Sequence, residues 1–140
     1  AENENSITTG CFHGKRVLIV EDNELNREIT SALLKDEGFL IEEAANGVEA
    51  IDKVIHSRSG YFDLILMDIQ MPVMDGYKAT REIRRMKEPA LAGIPIVALT
   101  ANTFEEDKKK CFAAGMNGQI EKPINRRIIR NTLANILNEV

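Results

Sequence analysis

The sequence predicts an α/β domain built as a doubly wound, five-stranded parallel sheet. Short strand-like runs alternate with segments of helical spacing, five of each, and such alternation builds βαβ units. The first, third and fourth runs are continuously apolar, as strands buried on both faces must be. Right-handed crossovers then put helices on both faces of the sheet.

Residues 1–14 are polar and without periodicity, and read as a flexible arm or the end of a linker from something larger. The domain proper is expected over 15–140. Val17, Leu18, Ile19 and Val20 form the first strand. From 23 to about 37 the spacing is helical, with Leu25, Ile29, Leu33 and Leu34 assigned to the inner face. Asn23 is placed to cap that helix and Gly38 to end it. A weaker strand over 39–44 alternates Phe39, Ile41 and Glu43 against Leu40 and Glu42. The second helix, 47 to about 57, turns Val48, Ile51, Val54 and Ile55 inward. Residues 63–67 make the third strand, and 76 to about 86 the third helix, with Tyr77, Thr80, Ile83 and Arg84 spaced by three and four. The fourth strand is expected over 95–99, a helix over 103–114 stopped by Gly115, the fifth strand over 118–121 and the last helix over 125–137.

The chain of 140 residues suits one domain with a real core. Its formal charge of −4 argues against a general nucleic-acid binder, which would carry a basic stripe. Nor does any apolar run reach the roughly 18 residues of a membrane span, and the first residues lack the apolar stretch of a secretory signal. Two cysteines, Cys11 and Cys111, are too few for a disulfide framework, so free thiols in a reducing cytoplasm are expected.

The chemistry sits at the strand ends. The first strand runs into Glu21 and Asp22, the third into Asp68, the fourth into Thr100 and the fifth into Lys122 followed by Pro123. In an open parallel sheet these ends share one edge, where ligands bind. Taken singly, an acid at a strand end is more often a helix cap, a lysine a surface charge and a threonine simply a common strand terminator. Together they form a set that binds Mg²⁺, holds a phosphoryl group and offers a carboxylate nucleophile. Three converging carboxylates repel one another, and a divalent cation relieves that. Lys122 adds the opposite charge, and its bond to Pro123 is of the kind that can be cis.

In these motifs the chain resembles a response-regulator receiver domain, over residues 15 to about 137. The matching stretches are Val20-Glu21-Asp22-Asn23, Met67-Asp68-Ile69-Gln70-Met71-Pro72 with Asp75-Gly76, Leu99-Thr100-Ala101-Asn102, and Glu121-Lys122-Pro123-Ile124. Their phrasing is most similar to receivers attached to hybrid sensor histidine kinases. The resemblance implies a flavodoxin-like fold with strand order 2-1-3-4-5. It implies that Asp68 takes a phosphoryl group from a phosphohistidine, with Mg²⁺ held by Glu21, Asp22, Asp68 and the backbone carbonyl of Gln70. Thr100 and the Ala101 amide would bind the phosphoryl oxygens, Lys122 would pair with them, and Gln70 and Asn102 would tune the lifetime of the acyl phosphate. Pro72, Asp75 and Gly76 would shape the turn after the nucleophile. The modification is of the chain itself, so the implied module is an acceptor rather than an enzyme that turns over. Implied partners are the phosphohistidine domain of a histidine kinase and a histidine phosphotransfer protein, docking on the first helix, with Asn26 and Arg27 as candidates. Nucleic acid and membrane insertion are not among them.

The sequence departs from the family pattern at one place. Three residues before the lysine the family commonly carries an aromatic switch, and here that place holds Gln119. This suits a relay that passes its phosphoryl group on rather than driving a large output change. Other readings fare worse. A phosphohydrolase with an aspartyl intermediate needs a second Asp two places after Asp68, where Gln70 stands. A nucleotide or flavin binder needs a glycine-rich loop after the first strand, where Glu21, Asp22, Asn23 and Glu24 stand. A degenerate receiver used only for binding is the remaining alternative. The acidic and basic runs 105–110, and Arg126, Arg127 and Arg130, read as solvated helix faces.

Overall fold

The computed structural model describes residues 12–101 and 104–137. Five strands, β1 (Arg16–Val20), β2 (Leu40–Ala44), β3 (Leu64–Asp68), β4 (Ile96–Thr100) and β5 (Gly118–Glu121), form one sheet in the order β2-β1-β3-β4-β5. Every neighbouring pair is parallel. The three central strands are the continuously apolar ones, and β3 and β4 are buried at every residue. The edges hold the more polar sequences of β2 and β5.

Among the described residues six helices cover the two faces: α1 (Glu24–Asp36), α2 (Gly47–Ile55), α3 (Gly76–Arg84), α4 (Pro89–Ala92), α5 (Glu105–Ala114) and α6 (Arg126–Leu137). The extra helix is the short α4, too brief to show a helical period. Glu88 caps it, Pro89 occupies its first turn and Gly93 ends it. Alternation along the strands divides the core in two. Leu18, Val20, Ile65, Met67, Ile96 and Ala98 face α2 to α5, meeting Val54, Ala79, Ile83, Leu91 and Cys111. Val17, Ile19, Leu64, Leu66, Val97, Leu99 and Ile120 face α1 and α6, meeting Leu34, Ile129 and Leu133. Each large side chain buried this way contributes about 1.5–3 kcal/mol relative to exposure.

Several sequence expectations are corrected here. Leu25 and Ile29 are exposed, as are Val48 and Ile55. The buried side of α1 consists of Thr30, Ser31 and Leu34, so the predicted face holds at Leu34, and partly at Leu33, but not at Leu25 and Ile29. Phe12, expected in the arm, is fully buried and stacks on Phe39 with ring centroids 4.9 Å apart. Its amide donates to the Glu37 carbonyl. Arg126 and Arg130 are not simply solvated, because both pair with Glu37, which is itself fully buried. Arg84 donates to the carbonyls of Ala92, Ile94 and Gly115 and to Asn117 Oδ1, tying α3 to the ends of α4 and α5. Among the described residues no helix is long and apolar enough to cross a membrane.

Candidate functional site

At the carboxyl edge of the sheet a cavity of about 710 Å³ is lined by Glu21, Asp22, Asp68, Gln70, Thr100, Ala101 and Lys122, among others. Parallel pairing brings them together: β3 ends on Asp68, β4 on Thr100, and Glu21 follows β1 directly. Lys122 follows β5, and its amide donates to the Thr100 carbonyl, which fixes the two loops side by side. The Lys122–Pro123 peptide is cis.

One carboxylate oxygen from each of Glu21, Asp22 and Asp68 can be chosen so that all three lie within 4.8 Å of one another. Glu21 and Asp68 are nearly buried, at 2% and 3% exposure, while Asp22 faces the cavity mouth and is exposed. Lys122 Nζ stands 3.4 Å from Glu21 Oε1 and 3.3 Å from Asp68 Oδ2. Burial raises the Glu21 carboxyl above its usual range, and hydrogen bonding and repulsion from Asp68 push it the same way. The Asn23 amide and Lys122 oppose that rise. Acids crowded to this degree suit a hard divalent cation, which takes oxygen donors and removes the mutual repulsion. The donor set therefore fits Mg²⁺ on its chemistry.

The turn after Asp68 has a steric reason for its sequence. A Cβ built on Gly76 would stand 2.4 Å from the Asp68 carbonyl oxygen, so only glycine lets α3 start this close to the strand end. Asp75 caps α3 by accepting from the Lys78 amide at 2.9 Å. The Gln70 amide donates to Asp68 Oδ1 at 3.2 Å, which holds that carboxylate from the other side. Between them Val73 takes a left-handed φ of 73°, an unusual conformation for a β-branched residue.

Thr100 is buried and Ala101 exposed at the cavity wall, whereas Asn102 lies outside the described residues. Gln119 is not among the residues that line the cavity. It pairs in register with Ala98, and both polar atoms of its side chain are buried without a hydrogen-bond partner. Sequence reasoning did not foresee Tyr77, Asp107 and Lys110 on the cavity wall. Tyr77 lies one residue past the Gly76 turn, and Asp107 and Lys110 sit in a charge run that looked purely solvated. Arg27, a docking candidate by sequence, is drawn inward: Nη1 donates to the Glu21 carbonyl at 2.8 Å. A second groove, lined by Asn26, Ile29, Thr30, Pro123 and Ile124, adjoins the cavity along α1.

The chain matches the response regulator receiver domain model over residues 17–134. Hybrid signal transduction histidine kinase B of Dictyostelium discoideum is 47% identical over 119 residues, which cover 79% of this chain and 6% of that protein. The osmosensing histidine protein kinase SLN1 of Saccharomyces cerevisiae is 41% identical over 121 residues, covering 84% of this chain and 10% of the kinase. The chain thus spans a small part of the curated relatives it matches. Among solved structures, the receiver domain of a sensor histidine kinase from Pseudomonas aeruginosa superposes with a TM-score of 0.79 at 38% identity, covering 89% of this chain and 98% of that one. That structure holds a magnesium ion coordinated in its active-site cleft. A chemotaxis protein of Vibrio cholerae gives the same TM-score of 0.79 at 35% identity, covering 88% of this chain and 98% of its own. Fold, strand order and family model agree, and the chain belongs to the response regulator receiver domain family.

Proposed function

We propose that Asp68 accepts a phosphoryl group from the phosphohistidine of a histidine kinase and relays it to a histidine phosphotransfer protein. The observation that carries this reading is the convergence of Glu21, Asp22 and Asp68 within 4.8 Å, with Lys122 Nζ 3.3 Å from Asp68. A carboxylate oxygen of Asp68 attacks phosphorus, the P–N bond breaks, and its electron pair leaves with the imidazole of the donor. Little covalent work is left to the protein, so catalysis is positioning and charge neutralisation. Glu21, Asp22, Asp68 and the Gln70 carbonyl are the residues that would hold Mg²⁺, which supplies positive charge to the phosphoryl oxygens. Lys122 pairs with one of those oxygens, and Thr100 and the Ala101 amide donate to the others. Gln70 and Asn102 set how readily water reaches the acyl phosphate. Neither is a carboxylate, which suits a lifetime long enough for onward transfer.

The phosphodonor domain is read as docking on α1, where Leu25 is exposed and exposed Ile29 lines the groove that Pro123 and Ile124 complete. Gln119 in place of an aromatic switch favours relay over large output changes. The buried free thiol of Cys111 fits the reducing cytoplasm, to which we assign the chain.

The test is intact mass after incubation with Mg²⁺ and acetyl phosphate, with Asp68→Asn as control. One added phosphoryl group is expected, lost in the variant and on chelation of the metal. If a folded wild type gains no adduct and also fails to bind beryllofluoride, the reading is wrong. The domain would then be a binding module only.

A further inference from the structure

Arg27 lies inside the first turns of α1, on the same stripe as Thr30, Ser31 and Leu34, with its side chain only 18% exposed. Its guanidinium makes two directed contacts. Nη1 donates to the Glu21 carbonyl at 2.8 Å, and Nε pairs with Glu43 Oε1 of β2 at 3.3 Å. Glu43 is held in turn, because Ser31 Oγ donates to its Oε2 at 2.8 Å. The Glu21 amide donates to the Ala44 carbonyl at 3.1 Å, so this backbone is fastened to β2 on its other side as well.

The Glu21 carbonyl belongs to the peptide unit that joins Glu21 to Asp22. With its two flanking Cα atoms in place, a planar peptide has one orientation once its oxygen is fixed. That orientation decides whether two consecutive side chains diverge, as they do along a strand, or bring their carboxylates toward a common point. Here both reach Asp68. We infer that Arg27 is a positioning residue for the acidic pair: braced by Glu43, its guanidinium fixes the Glu21–Asp22 peptide and thereby sets the convergence of the two carboxylates. This assigns Arg27 an inward task in place of the docking role its sequence position suggested. It rests on reading the acidic cluster as a Mg²⁺ site.

Charge and positioning make opposite predictions for this residue. A cation beside a metal site repels the metal, so on charge alone its removal would tighten binding. If Arg27 positions the acids, its removal loosens binding. The decisive measurement is direct Mn²⁺ binding, with Mn²⁺ standing for Mg²⁺, read from the paramagnetic resonance of the free ion. Wild type is compared with Arg27→Met and Arg27→Lys, each checked by circular dichroism. Arg27→Met is expected to weaken binding about tenfold, the scale on which supporting contacts act at metal sites. Arg27→Lys, which keeps the charge but cannot span both oxygens, is expected to weaken it as well, by a smaller factor. Should the methionine variant not fold, the lysine variant still decides, since a pure charge effect leaves it at wild-type affinity. Unchanged or tighter binding in the folded variants overturns the inference while leaving the metal site standing. A wild type that binds no Mn²⁺ instead removes the reading of the site on which the inference rests.

Discussion

Lys122 Nζ lies 3.3 Å from Asp68 Oδ2, and in the metal-free protein this ammonium is the cation that the buried acids share. Its other contact, Glu21 Oε1, is 3.4 Å away. Lys122→Met therefore leaves two nearly buried carboxyl groups facing one another, with a loss of about 2 kcal/mol of metal-free stability expected. Mg²⁺ should restore more stability to this variant than to wild type, because it no longer competes with a resident charge. Thermal melts with and without Mg²⁺ check both statements. Equal gains in the two proteins would mean that Lys122 and the metal do not occupy the same electrostatic niche.

Gln119 carries a different strain. Its amide oxygen and nitrogen are both buried with no hydrogen-bond partner among the described residues, on the strand position paired with Ala98. Burying such groups unpaired is costly, so the near-isosteric Gln119→Met is expected to stabilise the domain by about 1–2 kcal/mol. Denaturant unfolding reads this directly. The same position tests the switch. Gln119→Tyr should enlarge the shifts that beryllofluoride induces across α5, β5 and α6 in an amide NMR spectrum. Shifts equal to those of wild type would speak against a role for this position in output coupling.

Glu37 is fully buried at the end of α1, with Arg126 Nε at 3.0 Å and Arg130 Nε at 3.6 Å. The second distance is that of an ion pair beyond hydrogen-bond range. The partners are unequally solvated: Arg126 is 44% and Arg130 31% exposed, the carboxylate not at all. Removing both arginines strands a buried charge, and Arg126→Met with Arg130→Met should cost about 3 kcal/mol. Glu37→Gln leaves only arginines that water reaches and should cost about 1 kcal/mol. Urea midpoints of the two variants test the asymmetry, and a reversed order would refute this account of the cluster.

How far the sequence carried depended on how many neighbours each residue answers to. The strands β1, β3 and β4 were legible because burial on both faces leaves a continuous apolar run. Glu21, Asp68, Thr100 and Lys122 were legible because parallel topology alone brings strand ends together. The inner side of α1 was not. Its apolar stripe, Leu25, Ile29, Leu33 and Leu34, suggested a core face, yet of these Leu34 is buried and Leu33 partly so, while Arg27, Thr30 and Ser31 turn toward the sheet in place of Leu25 and Ile29. Arg27 and Ser31 are polar because Glu43 and the Glu21 carbonyl wait there for hydrogen bonds, and a local period cannot report a distant acceptor. Phe12 was missed for the same reason: one aromatic in a polar stretch has no period, and only Phe39 gives it a place. The pairing of Arg126 and Arg130 with Glu37 spans most of the chain and left no local trace.

Tyr77 gives the fold a pH-dependent element. Its ring packs, partly buried, against the core cluster that contains Cys111 of α5. Burial, followed by repulsion from the Cys111 and Asp107 charges, pushes the phenol from 10.0 up to about 12. At pH values below 10 both folded and unfolded chains keep the phenol protonated, and the contact contributes in full. Between pH 10 and about 12 the unfolded chain ionises while the folded one resists, so stability falls as pH rises and the loss is complete once the folded phenol also ionises. The expected fall is of order 2 kcal/mol. Cys111, raised from 9.0 by burial, adds a fall of the same sign that starts at lower pH. Tyr77→Phe should remove the tyrosine component and leave that of the thiol, so the urea midpoint of wild type should fall more steeply than that of the variant as pH climbs through this window. Curves that stay parallel up to pH 12 would mean that the Tyr77 hydroxyl is not held protonated by the fold.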